Sequence, residues 1–317
     1  MLMTPVSKQI IWGGDRLKKE YGKVADFDKI AESWELSVRS GAMCSIKNGE
    51  YAGMAMDEYI SADRVGVLGK NCEKFDRFPL LIKFIDAADR LSIQVHPDNE
   101  YSLAHEGELG KTEMWYIIAA DEDAKLVYGL KKGCSTEEFA RAVKEDRTEE
   151  MLEFTPVHPG EVYFIPSGQV HAIGAGILIA EIQQNSDVTY RVYDYKRRQS
   201  DGSLRQLHTE KAIDVIKLRS EDEINEIRFS HECKEGGEIL ASCEYFTVRR
   251  YALDGSITLT AGEDSFVSVL VIDSDGAVMT YDGEKYQLGK GESWFIPAGT
   301  GEIKVNGRAG LIVSEIN

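Results

Sequence analysis

Three stretches of this 317-residue chain bring metal-type donors into registers that one ion can share. In Leu91-Ser92-Ile93-Gln94-Val95-His96, strand alternation puts Leu91, Ile93 and Val95 on one face and Ser92, Gln94 and His96 on the other. Gln94 and His96 then project side by side before Pro97-Asp98 ends the strand. Glu113 opens the next run, Met114-Trp115-Tyr116-Ile117-Ile118, and alternation aims Lys111, Glu113 and Trp115 the same way if extended backbone begins by Lys111. His171 follows the turn at Pro166-Ser167-Gly168, at the start of a return strand. Two imidazoles and a carboxylate, with an amide oxygen as a further donor, suit zinc with an open coordination position. The same donors admit Fe(II) or Mn(II). The other four histidines, His105, His158, His208 and His231, have no such neighbours and read as ordinary surface or core residues.

Short strands separated by Gly, Asp and Asn turns must hold these groups. The apolar runs at 79–96, 114–119, 162–165, 177–182, 246–251, 266–272 and 311–313 read as such strands. Their number and close spacing predict an all-β-dominated fold, a barrel or sandwich, with few helices. One helix is expected near 135–150, started by the capping box Ser135-Thr136-Glu137-Glu138. Another is expected near 209–218, with Thr209 as its cap and Ala212, Ile213 and Ile216 on one face. Ser220 to Glu226 is charged and poor in apolar residues, so a boundary is placed at 230.

An internal repeat supports two units, 1–230 carrying the chemistry and 231–317 as a related β domain without metal ligands. Gly160-Glu161-Val162-Tyr163-Phe164-Ile165-Pro166-Ser167-Gly168 matches Gly291-Glu292-Ser293-Trp294-Phe295-Ile296-Pro297-Ala298-Gly299 at six of nine positions. Each copy predicts a turn, a buried strand and a second turn in which glycine permits positive φ. The register sets Glu302 opposite His171, so the second copy keeps the turn and lacks the ligand.

A formal net charge of -17 argues against a broad surface for nucleic acid or anionic membrane. A small anionic substrate needs a local cluster of Lys and Arg instead. Five scattered cysteines without a CxxC pair fit free thiols in a reducing compartment. Residues 1–14 lack the apolar core of a signal peptide, and no run reaches membrane-spanning length, so a cytoplasmic protein is expected.

The stretch Gly160-x5-Pro166-x-Gly168-x2-His171 resembles the second cupin motif, with Ala175 where that motif has Asn. The first cupin motif is reduced to Gln94-x-His96, with Glu113 delayed by a loop. Gln94-Val95-His96-Pro97-Asp98, Gly110-Lys111-Thr112-Glu113-Met114-Trp115-Tyr116, Glu181-Ile182-Gln183-Gln184-Asn185-Ser186-Asp187 and Thr189-Tyr190-Arg191-Val192-Tyr193-Asp194 together resemble the type I mannose-6-phosphate isomerase family in its compact bacterial form. That resemblance implies cupin (jelly-roll) β-barrels and one zinc ion per chain. It carries the metal ligands to His96, Glu113 and His171, with Gln94 as the fourth ligand of some members, and the active-site arginine to Arg191.

The reaction it implies is the interconversion of mannose 6-phosphate and fructose 6-phosphate through a cis-enediolate. The substrate is then a small phosphorylated sugar. Arg191 would stabilise the oxyanion. Lys111, on the face beside Glu113, is the candidate phosphate partner, while Arg197 and Arg198 read as a solvated turn. Metal-bound water, Lys111 and Glu181 all remain candidates for the general base. The competing readings are another metal-cupin enzyme such as a dioxygenase, and a sugar-phosphate-binding regulatory cupin. The acidic stretch His105-Glu106-Gly107-Glu108 reads as a solvated loop.

Overall fold

The computed structural model describes residues 1–199, 201–233 and 236–317. Strands β1 (Val6–Lys8) and β2 (Glu32–Leu36) lead to β3 (Leu80–Ala87), every residue of which is buried, as in a strand covered on both faces. β4 (Ile93–Val95) and helix α1 (Asn99–Glu106) precede β5 (Glu113–Ala120) and β6 (Lys125–Leu130). Helix α2 (Thr136–Lys144) is followed by β7 (Leu152–Pro156), β8 (Val162–Ile165), β9 (His171–Ala172), β10 (Ile177–Gln184) and β11 (Tyr190–Tyr193). Helices α3 (Thr209–Val215) and α4 (Glu221–Arg228) come next.

These strands form two sheets, ordered β8-β5-β10-β3-β2-β1 and β7-β6-β9-β4-β11. The sheets face one another as a sandwich with separate edges. Trp115, Ile117, Ile177 and Ile179 of the first meet Leu126 of the second in one apolar cluster. The outer face of the second sheet, through Ile93, Val95, Val127 and Val192, is covered by Phe139 of α2 and by Ala212 and Val215 of α3.

The chain then forms β12 (Glu238–Ser242), β13 (Thr247–Ala261), β14 (Val267–Tyr281), β15 (Glu284–Gln287), β16 (Ser293–Ile296) and β17 (Gly301–Glu315). They make a third sheet, β12-β13-β17-β14-β15, with β16 paired to β14. Phe246, Phe266 and Phe295 from this part join Ile82, Phe84, Met114 and Ile182 of the first sheet in one continuous core. Each such side chain stabilises by roughly 1.5–3 kcal/mol when withdrawn from water.

Both copies of the repeat behave as read. The two strands are β8 and β16, and Gly160, Gly168, Gly291 and Gly299 have φ of +94°, +87°, +83° and +74°. At Gly168 a Cβ would stand 2.8 Å from the Val215 carbonyl oxygen, so space as well as φ demands glycine.

The helices depart from the sequence reading in detail. The Ser135/Glu138 capping box forms, but α2 ends at Lys144, and Thr148–Met151 is a separate 3-10 turn. Thr209 is the first helical residue of α3, not its cap; His208 holds the cap position, and the helix stops at Val215, short of 218. The charged stretch after Ser220 is helix α4, started by a second capping box of Ser220 and Glu223 and anchored by buried Ile224. Its two apolar residues, Ile224 and Ile227, both pack on the core but are too few among charges to stand out in a periodicity count. His105 and Glu106 belong to α1, whose N-terminus is capped by Asp98.

Candidate metal centre and active site

Alternation along β5 turns Glu113 into the space between the two sheets, and His96, just past β4, and His171 of β9 reach the same place. The Glu113 Oε1 atom lies 3.2 Å from His171 Nε2 and 3.5 Å from His96 Nε2. Ligand atoms of the three buried residues all fall within 4.8 Å of one another. His96 Nδ1 is 2.8 Å from the Val188 carbonyl and His171 Nδ1 is 2.8 Å from the Gln169 carbonyl. Each Nδ1–H thus donates to main chain, and each Nε2 lone pair is turned toward Glu113, the arrangement that orients metal-binding imidazoles.

The electrostatics agree. Burial, reinforced by Lys111, lowers the His96 pKa to about 3, so its imidazole is neutral and free to ligate. Burial opposes ionisation of Glu113, but the Lys111 charge outweighs it and holds the carboxyl well below its ordinary value. Lys111 Nζ sits 3.1 Å from Glu113 Oε2 as an ion pair.

His96 Nε2, His171 Nε2 and both Glu113 oxygens are buried without a hydrogen-bond partner. Glu113 Oε2 has the Lys111 ammonium at 3.1 Å, but leaving the other three atoms unmet would be costly, about 1–3 kcal/mol for each neutral group and more for a charge. Two nitrogens and a carboxylate around one point are a donor set that a divalent cation satisfies, so the residues fit a bound metal.

Gln94 extends this centre. It pairs with His171 across β4 and β9 and with Arg191 across β4 and β11. Directly paired residues share a face, so His171, Gln94 and Arg191 form one inward row over three strands. This row leads into a pocket of about 150 Å³ whose walls include Ser92, Gln94, Lys111, Glu181, Arg191 and Arg205. The Arg191 guanidinium donates from Nε to Ser92 Oγ at 3.2 Å and from Nη1 to the Gln206 carbonyl at 2.9 Å.

A model of the catalytic domain of type I phosphomannose isomerase matches residues 1–132, and one of the mannose-6-phosphate isomerase cupin domain matches residues 238–316. The mannose-6-phosphate isomerase ManA of Bacillus subtilis (strain 168) is 39% identical over 320 residues, spanning 100% of this chain and 98% of that protein. The chain belongs to the type I mannose-6-phosphate isomerase family. The mannose-6-phosphate isomerase of Streptococcus mutans serotype c is 38% identical, covering 97% of this chain and 95% of its own. The crystal structure of the Bacillus subtilis mannose 6-phosphate isomerase superposes with a TM-score of 0.87 at 34% identity, covering 99% and 98% of the two chains. An isomerase-family cupin therefore stands over the dioxygenase and regulatory-cupin readings.

Within this family member, strand register settles the direction of Glu181. It pairs with Lys83 on β3 and Trp115 on β5, and shares the inward face of β10 with Ile179 and Gln183. Its Oε1 lies 3.1 Å from Lys83 Nζ, and its Oε2 accepts the Trp115 indole N–H at 2.9 Å. Glu32 flanks Lys83 at 3.7 Å. Burial works against the Lys83 charge, but Glu181 and then Glu32 outweigh it and raise its pKa. Burial raises that of Glu181.

Several wall residues escaped the sequence reading. Ser92 was placed on the right face without a role. Lys83 and Arg205 were not singled out, since one sits in an apolar run and the other in an aperiodic loop. Arg205 donates to Asp194 from Nε at 2.7 Å and from Nη2 at 2.5 Å, and Arg197 Nη2 reaches the same carboxylate at 2.6 Å. Arg197 is thus an anchored residue, not a solvated one, while Arg198 closes its own turn onto the Gly202 carbonyl. His208 is more than an ordinary histidine: its Nδ1 accepts the Arg191 main-chain N–H at 3.3 Å, and its N–H donates to the Arg191 carbonyl at 2.7 Å. The acidic stretch at 105–108 is tied down as well, Glu106 by Lys211 and Tyr190, Glu108 by Arg39 and Arg77.

Proposed function

We propose that this chain interconverts mannose 6-phosphate and fructose 6-phosphate with one zinc ion held by His96, Glu113 and His171, and with the Gln94 amide as a fourth donor. The observation that carries the reading is the set of partnerless buried atoms on the three ligands, with Lys111, which is ion-paired to Glu113, lining a pocket together with Gln94 and Arg191. Neutral imidazoles with a carboxylate suit zinc with an open coordination position. The ion supplies Lewis-acid polarisation of the sugar carbonyl when bound.

The chain's own groups do the rest. Arg191, fixed by Ser92 and the Gln206 carbonyl, presents a permanent cation to the oxygen that gains charge as the proton moves between C1 and C2. Lys111 is 5% exposed and pressed against Glu113, so it steadies the ligand carboxylate and the neighbouring sugar oxygens. That depth counts against its use as the phosphate partner, and Arg205 on the pocket wall takes the phosphate instead. Glu181, whose pKa burial raises toward the working range of a general base, carries the proton at the carbon.

The functional division at 1–230 and 231–317 is part of the same proposal, supported by the separate sheet and second apolar cluster of the C-terminal part. A cytoplasmic location is proposed too. Its support is five free cysteines, three of them buried. No helix among the described residues is long and apolar enough to cross a membrane.

The test is turnover of mannose 6-phosphate to fructose 6-phosphate before chelation, after it, and with zinc restored. Turnover should vanish and return. A zinc-loaded chain that binds the sugar phosphate without converting it would defeat the assignment.

A further inference from the structure

The turn that delivers His171 to the metal centre also lines, through Gln169 and Val170, a second cavity outside the sandwich. That cavity, of about 890 Å³, has no wall residue in common with the first. Its volume falls among small-molecule sites, roughly 300–1,000 Å³. Lys131, Lys132, Lys217 and Arg219 stand on its walls against Glu153 and Glu221, a cationic balance in a chain of net charge -17. Lys217 is committed to Asp98 at 2.6 Å, and Arg219 Nη1 donates to the Ser167 carbonyl at 2.9 Å. Lys131 and Lys132 form no ion pair among the described residues. Tyr128 and Tyr163, their rings 5.3 Å apart and nearly perpendicular, make an aromatic wall.

Gln169 gives this cavity its meaning. It is only 5% exposed and lines the space, yet its carboxamide makes no hydrogen bond among the described residues. A Cβ on the neighbouring wall residue Gly129 would stand 3.0 Å from Gln169 Nε2, so the glycine leaves the amide uncovered. The carboxamide is thus held on the cavity wall with its donor and acceptor free for an entering ligand.

The same residue is wired to the metal centre. Its carbonyl accepts the His171 Nδ1–H at 2.8 Å. Next to it, the Gly168 N–H donates to the His96 carbonyl at 2.7 Å, and the Lys217 N–H donates to the Gly168 carbonyl at 3.0 Å. The turn is therefore clamped between the cavity wall and both metal histidines.

We propose that this cavity binds a small phosphate ester with a flat body, a nucleoside monophosphate by chemistry, and that its occupancy steadies the turn that holds the two histidines. The phosphate takes charge-assisted bonds from Lys131, Lys132 and Arg219. The base lies against Tyr128 and Tyr163, and the Gln169 amide meets a polar edge. Coupling between two such sites is reciprocal, so a ligand that steadies His171 tightens metal and is itself tightened by it.

Calorimetric titration of the metal-loaded full chain with adenosine 5'-monophosphate, with no sugar phosphate present, tests this apart from turnover. One saturable site per chain is expected. It persists in Arg191→Ala and weakens at least about tenfold when Lys131→Glu and Lys132→Glu are combined. That surface pair leaves basal isomerisation unchanged. Gln169→Leu, which keeps the carbonyl under His171, weakens binding by about fivefold to tenfold. Adenosine 5'-monophosphate also slows metal loss to a chelator in the parent chain and not in the charge-reversed one. Absence of saturable binding overturns the proposal, as does binding that disappears in Arg191→Ala yet survives charge reversal. So does metal loss that the nucleotide leaves unchanged. None of these results bears on whether the chain isomerises its sugar phosphate.

Discussion

His171 Nε2 and Glu113 Oε1 face each other at 3.2 Å, both buried, each without a hydrogen-bond partner. A divalent cation held between them would satisfy both atoms at once. Removing one imzidazole by His171→Ala should therefore abolish stoichiometric zinc and lower turnover by more than about 100-fold. Zinc at 100 times its dissociation constant should stabilise the parent chain by about 2.7 kcal/mol. Melting with and without zinc checks this: the parent should shift upward and the variant should not. An equal shift in both would remove His171 from the ligand set.

Arg191 makes a different prediction, because it lines the pocket and is not among the three clustered metal-type donors. Arg191→Ala should keep its zinc and lose about 10²- to 10³-fold in kcat. Arg191→Lys should recover little of this, since an ammonium cannot reproduce the fork that reaches Ser92 and the Gln206 carbonyl together. Metal analysis alongside steady-state kinetics separates the cases, and unimpaired turnover in the alanine variant would end the oxyanion role.

The Lys83–Glu181 pair joins stability to chemistry. Lys83→Met strands a buried carboxylate and should cost about 3–5 kcal/mol in denaturant titration. Combining it with Glu181→Leu should cost less than the sum of the single changes, as the strain of an unpaired charge disappears. The double variant should fold, hold zinc and fail to isomerise. Retained activity would move the proton-transfer role away from Glu181.

His208 supplies a pH dependence. Burial first, then Arg191 and Lys211, lower its pKa below the ordinary histidine value of 6.5. The folded pKa lies below the unfolded one, so the contribution of neutral His208 is complete above about 6.5 and fades as the pH falls toward the folded value. Protonation turns the Nδ1 acceptor of the Arg191 N–H into a donor. Activity should therefore fall on that acid limb in the parent chain. His208→Ala should show lower activity at neutral pH and a flatter acid limb. An acid limb unchanged by the substitution would assign the titration to another group.

Much of the site could be read along the chain because its ligands sit on or beside strands. A period of two residues assigns faces without any knowledge of neighbours, so Gln94 and Glu113 can be aimed from the sequence, whereas His96 and Lys111 lie just outside β4 and β5 and owe their positions to the fold. The turn around Gly168 was legible for a similar local reason, since positive φ and proline leave a mark in composition. Helix α4 carried its start signal in Ser220 and Glu223, but two isoleucines among charges give too short a period to count.

Local sequence thus determined the residue types, the faces and the turns of this protein: which atoms can ligate and which way each strand aims them. Only the tertiary structure decided who meets whom. The union of Glu113 with two distant histidines, the burial of Lys83 against Glu181, the capture of Asp194 by Arg197 and Arg205, and the exposure of the Gln169 amide to a cavity all depend on strand pairing between remote segments. Such pairings come from the burial of whole faces, a quantity that belongs to the packed molecule and to no short window of the chain.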